Sequence, residues 1–146
     1  MTARAKATEL LRREVRFRGI RLGVSVDVLF DAPLARVLGL DVLCGDGARR
    51  FLPLAAGELD DESVRVDSAL VLSDGSFYRQ RGRALSELRE QAVREHGEER
   101  GRLDDVLLDR DGSVVAFRVR AGDRGGETVP AGPATSVGGE SLRAAV

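Results

Sequence analysis

Apolar and polar residues alternate at period two along much of the chain. Val15 and Phe17 stand between Glu14, Arg16 and Arg18, and Val115, Phe117 and Val119 stand between Ala116, Arg118 and Arg120. This spacing puts every second side chain on one face, as in a half-buried β-strand. Asp104, Val106 and Leu108 share one expected strand face, with Asp105, Leu107 and Asp109 on the other. Between these runs Asp111-Gly112 predicts a hairpin, glycine supplying the positive φ of a tight primed turn. Gly45-Asp46-Gly47 and Gly122 to Gly126 mark the ends of the next strands. Arg50-Phe51-Leu52-Pro53 and Glu127-Thr128-Val129-Pro130 read as strands that stop at proline, which cannot donate to a ladder. A last short strand pair is expected at Val64 to Val66 and Ala69 to Leu72.

The pattern occurs twice. At an offset of 78, Glu9-Leu10 matches Glu87-Leu88, and Val15-Arg16 matches Val93-Arg94. Gly19 and Gly23 match Gly97 and Gly101, and Asp27 and Asp31 match Asp105 and Asp109. The offset then becomes 77, pairing Val37, Val42, Gly45-Asp46 and Pro53 with Val114, Val119, Gly122-Asp123 and Pro130. It returns near Gly57 to Asp61, and Glu62-Ser63-Val64-Arg65 matches Glu140-Ser141-Leu142-Arg143. In all, 18 identities link residues 9–65 to 87–143, with small indels in turns. This is duplication of one module.

The repeat also resolves Arg83 to Glu99, which is rich in helix formers. Gln91 to Gly97 aligns with the alternating Arg13 to Gly19. A short helical turn at Leu85 to Arg89 followed by a strand is therefore expected, with a single helix over Arg83 to Glu99 as the alternative. Short strands and frequent turns make the chain all-β, built as two tandem small barrels. They would occupy residues 1–74 and 84–146, joined by a linker at 75–83. Ala69 to Leu72 has no counterpart, so the second barrel is expected to lack a last strand. An unpaired edge invites a partner. The two modules are expected to pack together, or the chain to form a homodimer, to cover it.

Gly-x-x-x-Gly, then Val-Asp-Val-Leu-Phe-Asp, a hairpin, an apolar strand and a strand ending in proline together resemble the PRC-barrel domain. Gly19 to Asp31, Val37 to Val42 and Phe51 to Pro53 carry the likeness, and again Gly97 to Asp109, Val114 to Val119 and Thr128 to Pro130. The resemblance implies barrels of about six strands that bind other proteins and do no chemistry. The family includes the photosynthetic reaction-centre H subunit and the ribosome-maturation factor RimM. This chain departs from both: it shows no membrane helix, and both its halves resemble PRC modules.

Composition narrows the function classes. The chain has 146 residues and 32% charged residues, and 23 basic against 24 acidic residues leave a net charge of −1. That balance argues against a basic nucleic-acid coat or an acidic tail. No run approaches the ~20 apolar residues of a membrane helix, and no apolar leader is visible at the N-terminus. A cytoplasmic protein without membrane insertion is expected.

The candidate chemistry is sparse. Asp27 and Asp31 are four residues apart in a strand, about 13 Å, too far to cooperate directly. Recurrence as Asp105 and Asp109 favours a structural role. Asp109-x-Asp111-Gly112 starts like a calcium loop but lacks the distal Glu. His96 has no second His or Cys with which to form a triad or zinc site, and is expected in an exposed turn. Cys44, the only cysteine, reads as a small, partly buried residue. Neither a nucleophile elbow nor a phosphate loop occurs. No catalytic residue, metal or cofactor is expected. Clustered arginines beside aromatics are the remaining candidates for contact with RNA or a protein. These are Arg12, Arg13, Arg16, Arg18 and Arg21, and Arg79, Arg81 and Arg83 near Phe77 and Tyr78. The expectation is a non-enzymatic adaptor for a protein partner, with an RNA- or ribosome-associated factor as the alternative.

Overall fold

In the computed structural model, residues 5–60, 62–122 and 126–138 are described. Strands dominate. They are β1 (Ala5–Lys6), β2 (Glu14–Phe17), β3 (Ile20–Phe30), β4 (Val37–Cys44), β5 (Arg49–Pro53), β6 (Gly57–Leu59) and β7 (Ser63–Val66). After α1 (Ser76–Arg81) come β8 (Arg83–Ala84), α2 (Leu85–Leu88), β9 (Ala92–Glu95), β10 (Glu98–Leu108), β11 (Val114–Arg120), β12 (Glu127–Pro130) and β13 (Thr135–Val137). They form two curled sheets, ordered β5-β4-β3-β2-β7-β6 and β12-β11-β10-β9-β13. The short helix α2 followed by strand β9 is the arrangement the repeat predicted for this segment.

Tight primed turns occur, but not at Asp111-Gly112. They join β2 to β3 and β9 to β10. Arg18 and Gly19 take φ of 51° and 81°, and His96 and Gly97 take 54° and 80°. Two consecutive positive φ values match the strand twist, and glycine adopts the second at little cost. His96 is exposed there, as expected. At Asp111-Gly112 only Gly112 has positive φ, 87°. Asp109 N donates to Ser113 O, and Gly112 N to Asp109 O. This is a three-residue loop closed by a bulge glycine, so the primed-turn expectation is corrected. Gly23 serves a different need: a Cβ there would sit 2.5 Å from the Leu43 carbonyl, and one at Gly101 2.4 Å from that of Arg120.

The expected strand at Ala69 to Leu72 is also corrected. Ala69–Val71 is a 3₁₀ turn, N-capped by Ser68 Oγ, which accepts from Leu70 N. Ser73 then bridges to Phe51 on the outer edge of β5. The second sheet has its closing strand after all, because β13 pairs with β9. That pairing is antiparallel, whereas β7 runs parallel to β2. The repeat therefore breaks at the last strand. The aligned segment 140–143 lies outside the described residues.

The two halves exchange their lead-in segments. β1 pairs with β10 of the second half, while β8 pairs with β3 of the first. A reciprocal clasp fixes the exchange. Thr8 N donates to Asp105 Oδ1 at 3.1 Å and Thr8 Oγ1 to Asp105 Oδ2 at 2.5 Å. Ser86 N and Oγ make the same bonds to Asp27 Oδ1 and Oδ2, at 3.1 and 2.5 Å. At the pseudo-twofold centre Val37 N donates to Gly112 O, and Val114 N to Ala35 O.

The apolar interior follows the same exchange. Ala7 and Leu10 of one lead-in, and Leu85 and Leu88 of the other, are each at most 4% exposed. They join one cluster with Val28, Phe30, Leu103 and Phe117, so the halves share a core rather than holding two separate ones.

Asp27→Ala and Asp105→Ala are each expected to cost about 2 kcal/mol, the worth of hydrogen bonds to a charged, buried group. The unaltered chain is expected to unfold in a single transition. Urea denaturation read by circular dichroism checks both, and two resolved transitions would refute the shared core.

The β4–β5 turn supplies a pH dependence. Arg50, with help from Ala48 N, lowers the Asp46 carboxyl from 3.8 to about 2. A depressed carboxyl stabilises the fold above its unfolded value and loses that contribution as pH falls toward the folded one. Asp46→Asn is therefore expected to flatten the decline in urea midpoint across this acid range, leaving an unchanged decline as the contrary result.

Candidate interaction groove

The arginines singled out from the sequence do not gather into one basic patch. Arg13 is tied to the lead-in, donating from Nε to Glu9 O. Arg16 pairs with Glu14 and also donates to Gly19 O, and Arg21 lies 3.9 Å from Glu14. Arg18 stands over the Phe17 ring, 5.1 Å from its centroid. Arg12 is exposed, with a φ of 61°, and Arg81 is exposed at the end of α1.

Arg79 and Arg83 are used within the fold. Arg79 Nη2 lies 2.7 Å from Asp41 Oδ1, and Arg49 Nη1 lies 3.3 Å from Asp41 Oδ2. The Asp41 side chain is only 3% exposed, so these two guanidinium groups compensate a buried charge. Beside them Tyr78 stacks on Phe51, with ring centroids 4.1 Å apart. Thus Arg79 and Tyr78 fasten α1 to β4 and β5. Arg118 stands at the place of Asp41 in the second half.

Asp27, Asp31, Asp105 and Asp109 all hold backbone. The first and third anchor the clasp. Asp31 Oδ1 accepts from Ala35 N and Arg36 N, and Asp109 Oδ1 from Asp111 N and Ser113 N. Pro53 and Pro130 end β5 and β12, opposite Gly39 and Ala116. Among the described residues no three of His, Cys, Asp and Glu gather to hold a metal ion. No described helix is long and apolar enough to cross a membrane.

A concavity lies where the halves meet, and sequence reasoning missed it. It is a cleft of about 710 Å³. One wall is the end of β5 with Leu54, Gly57 and Leu59. The other is the Leu108–Gly112 hairpin, with Leu10, Val37 and Leu38 between them. Arg36, Arg110, Asp109 and Asp111 ring its mouth. Ser113 N donates to Asp111 Oδ1 at 2.9 Å and to Asp109 Oδ1 at 3.1 Å. β6 forms one end of its sheet, so among the described residues its outer edge has no neighbouring strand.

A second cleft of about 150 Å³ occupies the pseudo-equivalent place. Ala131 and Gly132 stand there for Leu54 and Ala55, and Ala32 to Leu34 for Arg110 to Gly112. Arg83 takes the place of Ala5, since Ala5 pairs with Leu108 and Arg83 with Phe30. Leu34 and Gly112 share one bond of the turn, Leu34 N donating to Asp31 O as Gly112 N does to Asp109 O, while the Gly112 carbonyl is matched by that of Ala35. Leu34 is 6% exposed, and Arg83 Nη2 donates to Val137 O at 2.8 Å. Burial lowers the Arg83 guanidinium below its ordinary value. The second cleft is thus filled by the chain's own leucine and arginine. In the first, alanine stands at the place of Arg83, and Leu54 packs against Gly112, its Cδ2 2.5 Å from where a Cβ there would sit.

No protein-family model matches the chain, and no curated protein matches it.

Arg79→Ala is expected to destabilise the protein by about 3 kcal/mol, because it leaves Asp41 underpaired in the interior. Arg49→Ala removes a more exposed partner and is expected to cost less than about 1 kcal/mol. Equal losses in paired urea titrations would contradict this ranking.

Proposed function

We propose that this chain is a non-enzymatic adaptor, made of two tandem PRC-like modules, that holds a protein partner at the junction of its halves. One observation carries the reading. The cleft of about 710 Å³ has an apolar floor and a charged mouth, and a strand edge that is unpaired among the described residues borders it. Partner segments commonly dock in apolar grooves or add to open sheet edges. The sequence resemblance to PRC barrels, whose better understood members bind proteins, supports the same assignment. Asp27, Asp31, Asp105 and Asp109 each bind backbone amides or hydroxyls of the fold, so they serve the scaffold. The proposed setting is the cytoplasm.

The test is affinity purification of the full chain from its native host, with and without RNase, followed by mass spectrometry. A defined partner that survives RNase and is lost with Leu59→Arg is the expected result. Leu59 is 47% exposed, so this change alters the groove without disturbing the core. Ribosomal proteins that vanish with RNase would replace the adaptor by the RNA-associated reading. A turnover abolished by one point mutation would overturn it in favour of an enzyme.

A further inference from the structure

Duplication has left the chain with two hairpin tips of opposite charge. Over residues 14–21 three arginines against one glutamate give +2. Over the aligned residues 92–99 three glutamates against one arginine give −2. The framework is the same in both, a two-stranded ribbon closed by a primed turn at Arg18-Gly19 or His96-Gly97. Ile20 and Arg21 of the first tip stand where Glu98 and Glu99 stand in the second.

Part of this charge has no counterion in the chain. In the first tip Glu14 lies beside Arg16 and, at 3.9 Å, Arg21. Arg18 lies over the Phe17 ring and pairs with no carboxylate among the described residues. In the second tip Arg100 takes Glu95, and Arg94 lies 3.7 Å from Glu99. Glu98 has no ion pair among the described residues. Arg18, Arg21, Glu98 and Glu99 are exposed, and Ile20 is 61% exposed.

Both tips also offer an open strand edge. β4 accompanies β3 only as far as Gly23, and β11 accompanies β10 only as far as Arg102. Among the described residues the edges at 20–22 and 98–100 therefore have no neighbouring strand on that side, and such edges are templates for pairing.

We infer that the first tip of one copy docks on the second tip of another copy of this chain. The β3 edge at 20–21 lies along the β10 edge at 98–99, with Arg18 and Arg21 facing Glu98 and Glu99. Opposite charges on adjacent strands attract and like charges repel. Two first tips, or two second tips, therefore repel, and the contact is head-to-tail. Each copy carries one tip of each kind, so the contact makes a ring where its rotation closes and an open chain where it does not. A net charge of −1 leaves little repulsion between whole molecules. The contact shares no residue with the lining of the cleft between the halves.

The test is sedimentation velocity on the full chain, treated with nuclease and freed of nucleic acid, at concentrations up to about 1 mM, where weak contacts are populated. The mass is expected to rise with protein concentration in low salt. It should fall to that of one copy in 1 M salt, where the Debye length is about 3 Å. Arg18→Asp and Glu98→Arg are each expected to weaken association at least about tenfold. Asp-Gly is a favoured pair in a primed turn, so the first variant keeps its hairpin. A chain carrying both changes has its charges swapped and is expected to associate more tightly than either single variant, a recovery that a folding defect would not give. Ile20→Glu gives the first tip the residue of its counterpart and is a further blocking variant should another fail to fold. One copy at every concentration in low salt, association indifferent to salt or to these variants, or no recovery in the doubly changed chain would overturn the inference. Association seen only in untreated samples and lost with nuclease would give the basic tip to nucleic acid, and would overturn it too.

Discussion

Two buried aspartates hold the molecule together. Asp27 and Asp105 each receive a backbone N–H and a hydroxyl from the lead-in segment of the other half. Each also accepts the N–H of the next residue in its own strand. A carboxylate that is 8% or 5% exposed needs such donors, because an unpaired buried charge is costly. The donors come from across the duplication, so satisfying either aspartate brings the halves together. Shared burial of Leu10 and Leu88 follows from that arrangement, as do the strand pairings of β1 and β8.

Exchange has a geometric consequence for the surface. It places each lead-in beside the other half's long strand, next to the hairpin tips that meet at Val37 and Val114. Two clefts result, one on each side of the pseudo-twofold centre. Divergence of the duplicated modules then acts on equivalent positions. Arginine at 83 and leucine at 34 line one cleft, while alanine at 5 and glycine at 112, with Leu54 packed against it, line the other. The duplicated framework thus leaves two versions of the same cleft, of unequal size. The Asp41–Arg79–Arg49 cluster marks a second divergence, since Arg118 stands at the place of Asp41 in the second half.

Much of the framework was legible in the chain. Period-two alternation located the strands, and the repeat correctly chose a helical turn and strand for Leu85 to Glu95. The glycine pairs at 19 and 23, and at 97 and 101, were visible as a signature. Their separate reasons, a primed turn and a close strand approach, were not. The tight turn was assigned to Asp111-Gly112 because a dipeptide does not report how many residues its loop contains. Thr8 and Ser86 aligned at the repeat offset but differ in type, so identity matching passed over the hydroxyl they share. The cleft was not legible, since its walls are residues about 50 to 100 positions apart.

The sequence by itself determined local preferences: which residues extend, where the chain turns and that one module occurs twice. These depend on side-chain periodicity and backbone dihedral limits, which act over a few residues. Tertiary structure decided which copy each lead-in joins, what satisfies the buried aspartates, and that two pseudo-equivalent clefts of unequal size lie at the junction. Those outcomes depend on distant groups competing for the same donors and the same volume, and a local pattern carries no record of that competition.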